Sequence, residues 1–102
     1  MKGSGMMVDK YILKGKKVVI CSNLMTWAKW VEDKKNTRVG LTKKKEVVVS
    51  TIFLPCPYIS GHCFETRVFN GKHGGESQSY KTYDGATAGH KAMCRRVFGD
   101  GT

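Results

Sequence analysis

The chain has 102 residues, with 18 Lys and Arg against 8 Asp and Glu, for a formal net charge of +10. This length fits one domain, and a hydrophobic content of 40% is that of a folded protein rather than a disordered one. The apolar runs fall short of the ~20 residues of a membrane-spanning helix, so none is predicted. Nine of the ten net charges lie in residues 1–45, which carry 12 basic and 3 acidic side chains. This end of the sequence is therefore expected to meet something negative.

A β-hairpin and a helix are predicted in the first third of the chain. Apolar residues 11–13 and 18–21 flank a basic turn, where Gly15 supplies the positive φ that a tight turn needs. The helix begins after a cap at Ser22 or Asn23. Its expected core-facing side chains, spaced at i, i+3, i+4 and i+7, are Leu24, Trp27, Ala28 and Val31.

Four strands and a second helix are predicted in the remainder. Residues 46–54 (EVVVSTIFL) are rich in β-branched side chains and apolar on both faces, which is typical of a central strand. Three further strands are predicted at residues 37–41, 63–70 and 77–81. A second basic turn is predicted at residues 42–45, between the first of these strands and the central one. The last helix is capped by Thr82 and ends at Gly99. Its expected core face holds Ala86, His90, Met93 and Val97.

The predicted order ββαββββα indicates an α+β fold. Strands joined by short turns favour an antiparallel sheet, here of about five to six strands, with the two helices packed on one face. Residues 9–99 are predicted to form one domain, residues 100–102 a tail, and residues 1–8 a segment that is disordered or carried over from cloning. Because no secretion signal is recognised, the four cysteines are expected to be reduced thiols.

Three segments, VVVSTIFL, FETRVFNG and YKTYDGATAGHKAM, carry a resemblance. They are similar to a VSTxFL strand, an FETxVFxG strand and a YxT…AxxGHxxM helix in small uncharacterised proteins that bacteriophages and prophages encode. The resemblance covers residues 46–93 and departs at residues 83–87, where the acidic helix opening of those proteins is missing. It implies a phage-type origin and a location in the cytoplasm of the bacterial host cell, and it carries no catalytic residue.

Lysines at the two predicted turns and at the first helix end are the strongest binding candidates. Lysines at loop tips contact phosphates and make binding depend on salt, whereas the alternative is a solvated set that keeps the protein soluble. The candidate anion-binding residues are Lys14, Lys16, Lys17, Lys34, Lys35, Lys43, Lys44 and Lys45. Trp30, Tyr11 or Tyr58 are candidates for stacking on bases or for a protein interface. Glu65 and Arg67, two residues apart on one strand, are candidates for lining a polar pocket.

Catalytic and metal sites are weaker alternatives. The residues from which a zinc site could be composed are Cys56, His62, Cys63, His90 and Cys94, but their spacing matches no zinc motif. A histidine on an apolar helix face such as that of His90 is expected to be a hydrogen-bonded core residue. A small hydrolase would combine Cys63 or Ser50 with His62 or His73 and Glu65, yet such sites are defined by geometry and not by composition. No metal, cofactor or catalytic activity is predicted.

The leading hypothesis is a non-catalytic binding protein that engages nucleic acid, a nucleotide signal or a host nucleoprotein, with inhibition of a host defence as its purpose. The alternative is a protein–protein interaction module that blocks or oligomerises with a host defence protein. Trp27, Trp30 or the loop at residues 55–59 would anchor that contact, since aromatic residues dominate interface energetics. Neither hypothesis involves a membrane, and both leave self-association open.

Overall fold

Six strands and three helices make up the computed structural model, which describes residues 10–57, 59 and 61–99. In chain order the elements are β1 (Tyr11–Lys14), β2 (Lys17–Ile20), α1 (Leu24–Glu32), α2 (Lys34–Thr37), β3 (Arg38–Lys44), β4 (Val47–Phe53), β5 (Phe64–Phe69), β6 (Ser77–Tyr80) and α3 (Tyr83–Phe98). The predicted α+β class with antiparallel pairing is confirmed. The predicted terminal segments, residues 1–8 and 100–102, lie outside the described residues.

The strands form two sheets, so the prediction of a single sheet was wrong. β1 and β2 pair only with each other, and the second sheet has the order β3-β4-β5-β6. The backbone N–H of Tyr11 donates to the carbonyl of Pro55 at 2.9 Å, which ties β1 to the end of β4. Proline has no N–H to return a second bond, so a continuous ladder cannot form there. The hairpin itself is as predicted, with Gly15 at a φ of 62° and Tyr11 opposite Ile20.

The second basic turn is shorter than the sequence predicted, because β3 continues to Lys44. Lys44 pairs with Val47, so that only Lys45 and Glu46 remain in the turn. Lys45 has a φ of 55°, the left-handed conformation that such two-residue hairpin turns require. Neighbouring side chains of β3 therefore alternate between the two sheet faces, and Lys43 and Lys44 point in opposite directions.

The core lies between α3 and one face of the four-stranded sheet. Its fully buried apolar side chains include Val49, Phe53, Phe64, Val68 and Ala86. Gly89 lets α3 approach β6 closely, because a Cβ at this position would lie 2.2 Å from the ring of Tyr80. The absence of a side chain costs helix propensity of about 1 kcal/mol, but it permits this contact.

The opposite face of this sheet is open. Leu41, Ile52 and Phe69 lie on it with 50%, 36% and 46% of their surface exposed. β4 pairs with β3 on one side and β5 on the other, which confirms its predicted central position. Only one of its two apolar faces is buried.

Helix α1 packs against the hairpin instead of lying beside α3 on the four-stranded sheet. Trp27 is its first residue that faces inward, and the Nε1–H of Trp27 donates to the carbonyl of Tyr11 at 3.1 Å. One turn later, the ring of Trp30 packs edge-on against the ring of Phe53, with 5.6 Å between the ring centres. Leu24 lies before these contacts and is 58% exposed, so its predicted place in the core was wrong. The sequence did not predict the short helix α2, which is capped by the Asp33 carboxylate accepting from the Lys35 N–H. Among the described residues, no helix has both the length and the apolar character needed to cross a bilayer.

Candidate anion-binding groove

The eight candidate lysines do not form one patch, since they lie at three separate places. Lys16 lies at the start of α3, where its Nζ is 3.7 Å from the Asp84 carboxylate. Lys44 lies at the other end of α3, with its Nζ 5.4 Å from the centre of the Phe98 ring. The two ends of α3 are about 22 Å apart, because the helix has 16 residues and each adds ~1.5 Å along its axis. Lys34 and Lys35 belong to α2, which precedes β3 at the end of that strand remote from Lys44.

One of these places is a groove between α3 and the edge strand β3. The groove has a volume of about 340 Å³, and we call it the α3–β3 groove. It is lined by Thr42, Lys44, His90, Lys91, Cys94, Arg95, Phe98 and Gly99. Three of these residues are cationic and none is acidic. Lys91 and Arg95 are four residues apart on α3, so their side chains neighbour each other on one helix face.

The three cations of the groove have no acidic partner among the described residues. No carboxylate in residues 10–57, 59 or 61–99 lies within ion-pair distance of Lys44, Lys91 or Arg95. Among the described acids, Glu76 lies near the end of α3, but it is bound by Arg96, whose Nε–H donates to it at 2.7 Å. His73 Nδ1 contacts the other carboxylate oxygen at 2.7 Å. The hydrogen bond from Arg96, and to a smaller extent the one from His73, lowers the pKa of Glu76 to about 2. This acid therefore stays charged and paired with Arg96 and His73, not with a groove cation.

His90 anchors the wall of the groove. Its Nδ1 lies 2.7 Å from the Thr51 hydroxyl and its Nε2 lies 2.9 Å from the Thr42 hydroxyl. Thr51 also contacts the Thr66 hydroxyl, which extends the hydrogen-bonded chain across three strands. A Cβ at residue 40 would lie 3.1 Å from the imidazole, so Gly40 leaves room for the ring. Both ring nitrogens have a hydroxyl partner, so His90 is hydrogen-bonded as expected, although it is only partly buried.

Mild acid is expected to weaken the fold through His90. Burial lowers the pKa of this imidazole in the folded protein, whereas the unfolded chain takes up a proton near pH ~6.5. The unfolded state therefore binds the proton first, and the free energy of unfolding falls as pH drops below ~6.5 toward the folded pKa. Urea denaturation at about pH 7.5 and about pH 5.5 measures this loss, which should shrink in His90→Gln.

Two features make that comparison specific. Glu76 changes the free energy of unfolding only below the pH range of this comparison. Its stabilisation is complete above its ordinary pKa of 4.5 and is lost as the pH falls toward about 2. His62→Gln is the matched control, because it removes an imidazole and leaves the contacts of His90 in place. An equal pH dependence in wild type and His90→Gln would contradict the role given to His90.

The stacking candidates face the interior more than the solvent. Trp30 packs edge-on against Phe53, and Tyr11 packs against the same core cluster. Neither ring forms part of the α3–β3 groove. Tyr58 lies outside the described residues. Of the two residues predicted to line a polar pocket, Glu65 does so and Arg67 does not. Glu65 lines a 310 Å³ cavity together with His62 and Ser79.

Among the described residues, neither Cys63 nor Ser50 makes the hydrogen bond to His62 or His73 that the proposed catalytic combinations need. His62 Nδ1 lies 3.0 Å from the hydroxyl of Ser79, a residue the sequence did not single out, and His73 contacts Glu76. Cys63 is buried, and burial raises the pKa of its thiol, which opposes formation of a nucleophilic thiolate. Within the part of the chain that the structure describes, no group of three or more His, Cys, Asp or Glu side chains is arranged to hold a metal ion.

Lys91 and Arg95 are the functional candidates that sequence reasoning missed. The helical spacing from His90 to Phe98 places them beside the face that covers the sheet, and this signal was present in the sequence. What the sequence did not provide was the extension of β3, which brings Lys44 to the same groove. A second unpredicted feature is an apolar patch at the junction of β2 and α1, where Ile20, Leu24 and Met25 are 63%, 58% and 68% exposed.

Comparison of the chain with protein-family models, with curated proteins and with solved structures gives no match. The resemblance to phage-encoded proteins therefore stays a prediction.

Proposed function

We propose that this protein is a non-catalytic nucleic-acid-binding protein that holds a phosphodiester backbone in the α3–β3 groove. The observation that supports this most is the convergence of Lys44, Lys91 and Arg95, from two elements, on a groove in which none of the described lining residues is acidic. Cations brought together in this way repel one another, and a bound polyanion relieves the repulsion while releasing its own counterions. The net charge of +10 steers polyanions toward the protein over longer distances.

The groove favours the backbone of a duplex over a single strand. Proteins that bind single strands stack the bases on aromatic rings. Trp30 and Tyr11 pack toward the core, and the ring of Phe98 in the groove already lies beneath the Lys44 ammonium. Two of the three groove cations are lysines, which contact phosphates as point charges and do not read base edges in the bidentate manner of arginine. Binding is therefore expected to depend little on sequence.

Fluorescence anisotropy with a labelled stem-loop DNA of about 12 base pairs tests the proposal. Three phosphate contacts, each contributing ~0.9 to the slope, predict that the logarithm of the association constant falls with the logarithm of salt with a slope of about −3 or steeper. The titration runs from about 20 to 200 mM NaCl. Absence of binding at the lowest salt, or an affinity that salt does not change, would reject the proposal.

A protein partner is the second candidate, and the apolar patch of Ile20, Leu24 and Met25 is the observation that favours it. This patch replaces Trp27 and Trp30 as the anchor, because both tryptophans make inward contacts. The biological setting, a phage protein that inhibits a host defence in the bacterial cytoplasm, rests on the resemblance of residues 46–93. If the protein has such an activity, neutralising the groove abolishes it under the first proposal and leaves it intact under the second.

A further inference from the structure

We infer that the tip of the β1–β2 hairpin is a second phosphate contact, so that the protein binds along one side of a duplex over the length of α3. This inference rests on the proposed function and adds the shape of the ligand: a rigid polyanion at least about 22 Å long, and not a nucleotide or a single phosphate. We call Lys14, Lys16 and Lys17 the hairpin lysines.

The hairpin lysines carry charge that the fold leaves largely unbalanced. Lys14 and Lys17 are directly opposite each other in the register of the hairpin, and like charges at such positions are destabilising. Among the described residues, the one acid within ion-pair distance of this cluster is Asp84, 3.7 Å from Lys16. The side chains of that pair are 71% and 85% exposed, and exposed pairs contribute little. Lys16 is therefore free to exchange Asp84 for a phosphate at small cost.

A continuous ridge of α3 joins the hairpin lysines to the groove. Asp84, Ala88, Lys91 and Arg95 are spaced by four, three and four residues, which places them on one face of the helix. Ala88 is exposed and small, so that no bulky side chain interrupts the ridge. The ridge thus carries Lys91 and Arg95 at one end and its one acid, Asp84, at the other, where the hairpin lysine Lys16 lies beside it.

The length of the ridge sets the length of duplex that it engages. The ~22 Å between the two ends of α3 corresponds to about six or seven base pairs at a rise of ~3.4 Å. A stem of about 4 base pairs, ~14 Å long, reaches the groove but not the hairpin lysines at the same time, whereas a stem of about 12 base pairs reaches both. Lysine contacts to phosphate at both ends require no particular sequence.

Three charge-matched triple variants test this inference against stem-loops with stems of about 4 and about 12 base pairs and a shared loop. The hairpin variant is K14Q/K16Q/K17Q, the groove variant is K44Q/K91Q/R95Q, and the control is K29Q/K34Q/K35Q on α1 and α2. Each lowers the net charge equally. Comparing variants on the same two DNAs also cancels the larger number of binding positions on the longer stem.

The hairpin variant is expected to bind the long stem at least about tenfold more weakly than the control does, with a salt slope reduced by about 3. Its affinity for the short stem should stay within about twofold of the control. Asp84→Asn removes the acid from the ridge and should strengthen binding of the long stem by about threefold without changing that of the short stem.

The outcomes separate this inference from the proposed function. If the groove variant loses both stems while the hairpin variant matches the control on both, the groove binds nucleic acid and the second contact is rejected. If wild type binds neither stem at low salt, the proposed function fails and this inference fails with it.

Discussion

Replacing Phe53 with alanine is expected to lower the free energy of unfolding by about 3–5 kcal/mol, the cost of removing a fully buried aromatic ring. Phe53 is completely inaccessible and joins two parts of the fold. Its ring lies 5.6 Å from Trp30 of α1 and 5.5 Å from Phe64 of β5. Removal therefore opens a cavity at the point where α1 meets the four-stranded sheet. Equilibrium denaturation in urea, followed by circular dichroism, measures the loss.

Phe69→Ala is the matched control for this substitution. Phe69 belongs to the same sheet but lies on its open face, 46% exposed, so its removal should cost less than about 1 kcal/mol. Similar losses for the two variants would show that the two faces are equally buried. Such a result would contradict the assignment of the core to the face of the sheet that α3 covers.

Neutralising the three groove cations in K44Q/K91Q/R95Q is expected to weaken binding of the longer stem-loop on the order of 1,000-fold at about 0.1 M salt. The magnitude follows from three phosphate contacts, each worth roughly a factor of ten relative to ~1 M salt. These side chains make no ion pair with a described residue, so the fold should lose little beyond the contact of Lys44 with the Phe98 ring. Anisotropy titrations give the affinity, and a thermal melt checks the fold.

The control variant K29Q/K34Q/K35Q has the same net charge and should lose less than about threefold, the effect of weaker long-range steering. If the control loses as much as the groove variant, binding reflects net charge alone and the groove is not a site. Arg96→Gln is unsuitable as a control, because Arg96 binds Glu76 and holds the end of α3 to the β5–β6 connection.

Much of the fold could be predicted from local pattern. The hairpin at Gly15, the central strand with its β-branched residues and the helix capped by Thr82 all follow from signals within a few residues. The division into two sheets could not, because the position of the hairpin relative to β4 is set by long-range contacts such as the hydrogen bond from Tyr11 to Pro55. The end of β3 was missed because Lys45 takes a left-handed conformation that its residue type does not favour.

The candidate site was predicted only in part, because it is formed by packing between segments that are far apart in the sequence. Lysine density identified Lys44, but density along the chain does not distinguish Lys44, which faces the groove, from Lys43, which alternates to the open face. Lys91 and Arg95 lie in a segment whose net charge is nearly balanced, so composition gave them no weight. Packing of α3 against β3 brings them to Lys44, and that packing depends on the contact of His90 with Thr42 and Thr51.

The location of the bound backbone is the central claim, and amide chemical-shift mapping tests it most directly. Isotope-labelled protein is titrated with the unlabelled longer stem-loop at low salt, and the shift of each backbone amide is followed. The largest shifts are expected at Lys44, Lys91 and Arg95, with smaller ones at the hairpin lysines. Shifts concentrated at Leu41, Ile52 and Phe69 on the open sheet face, with the groove unchanged, would contradict it.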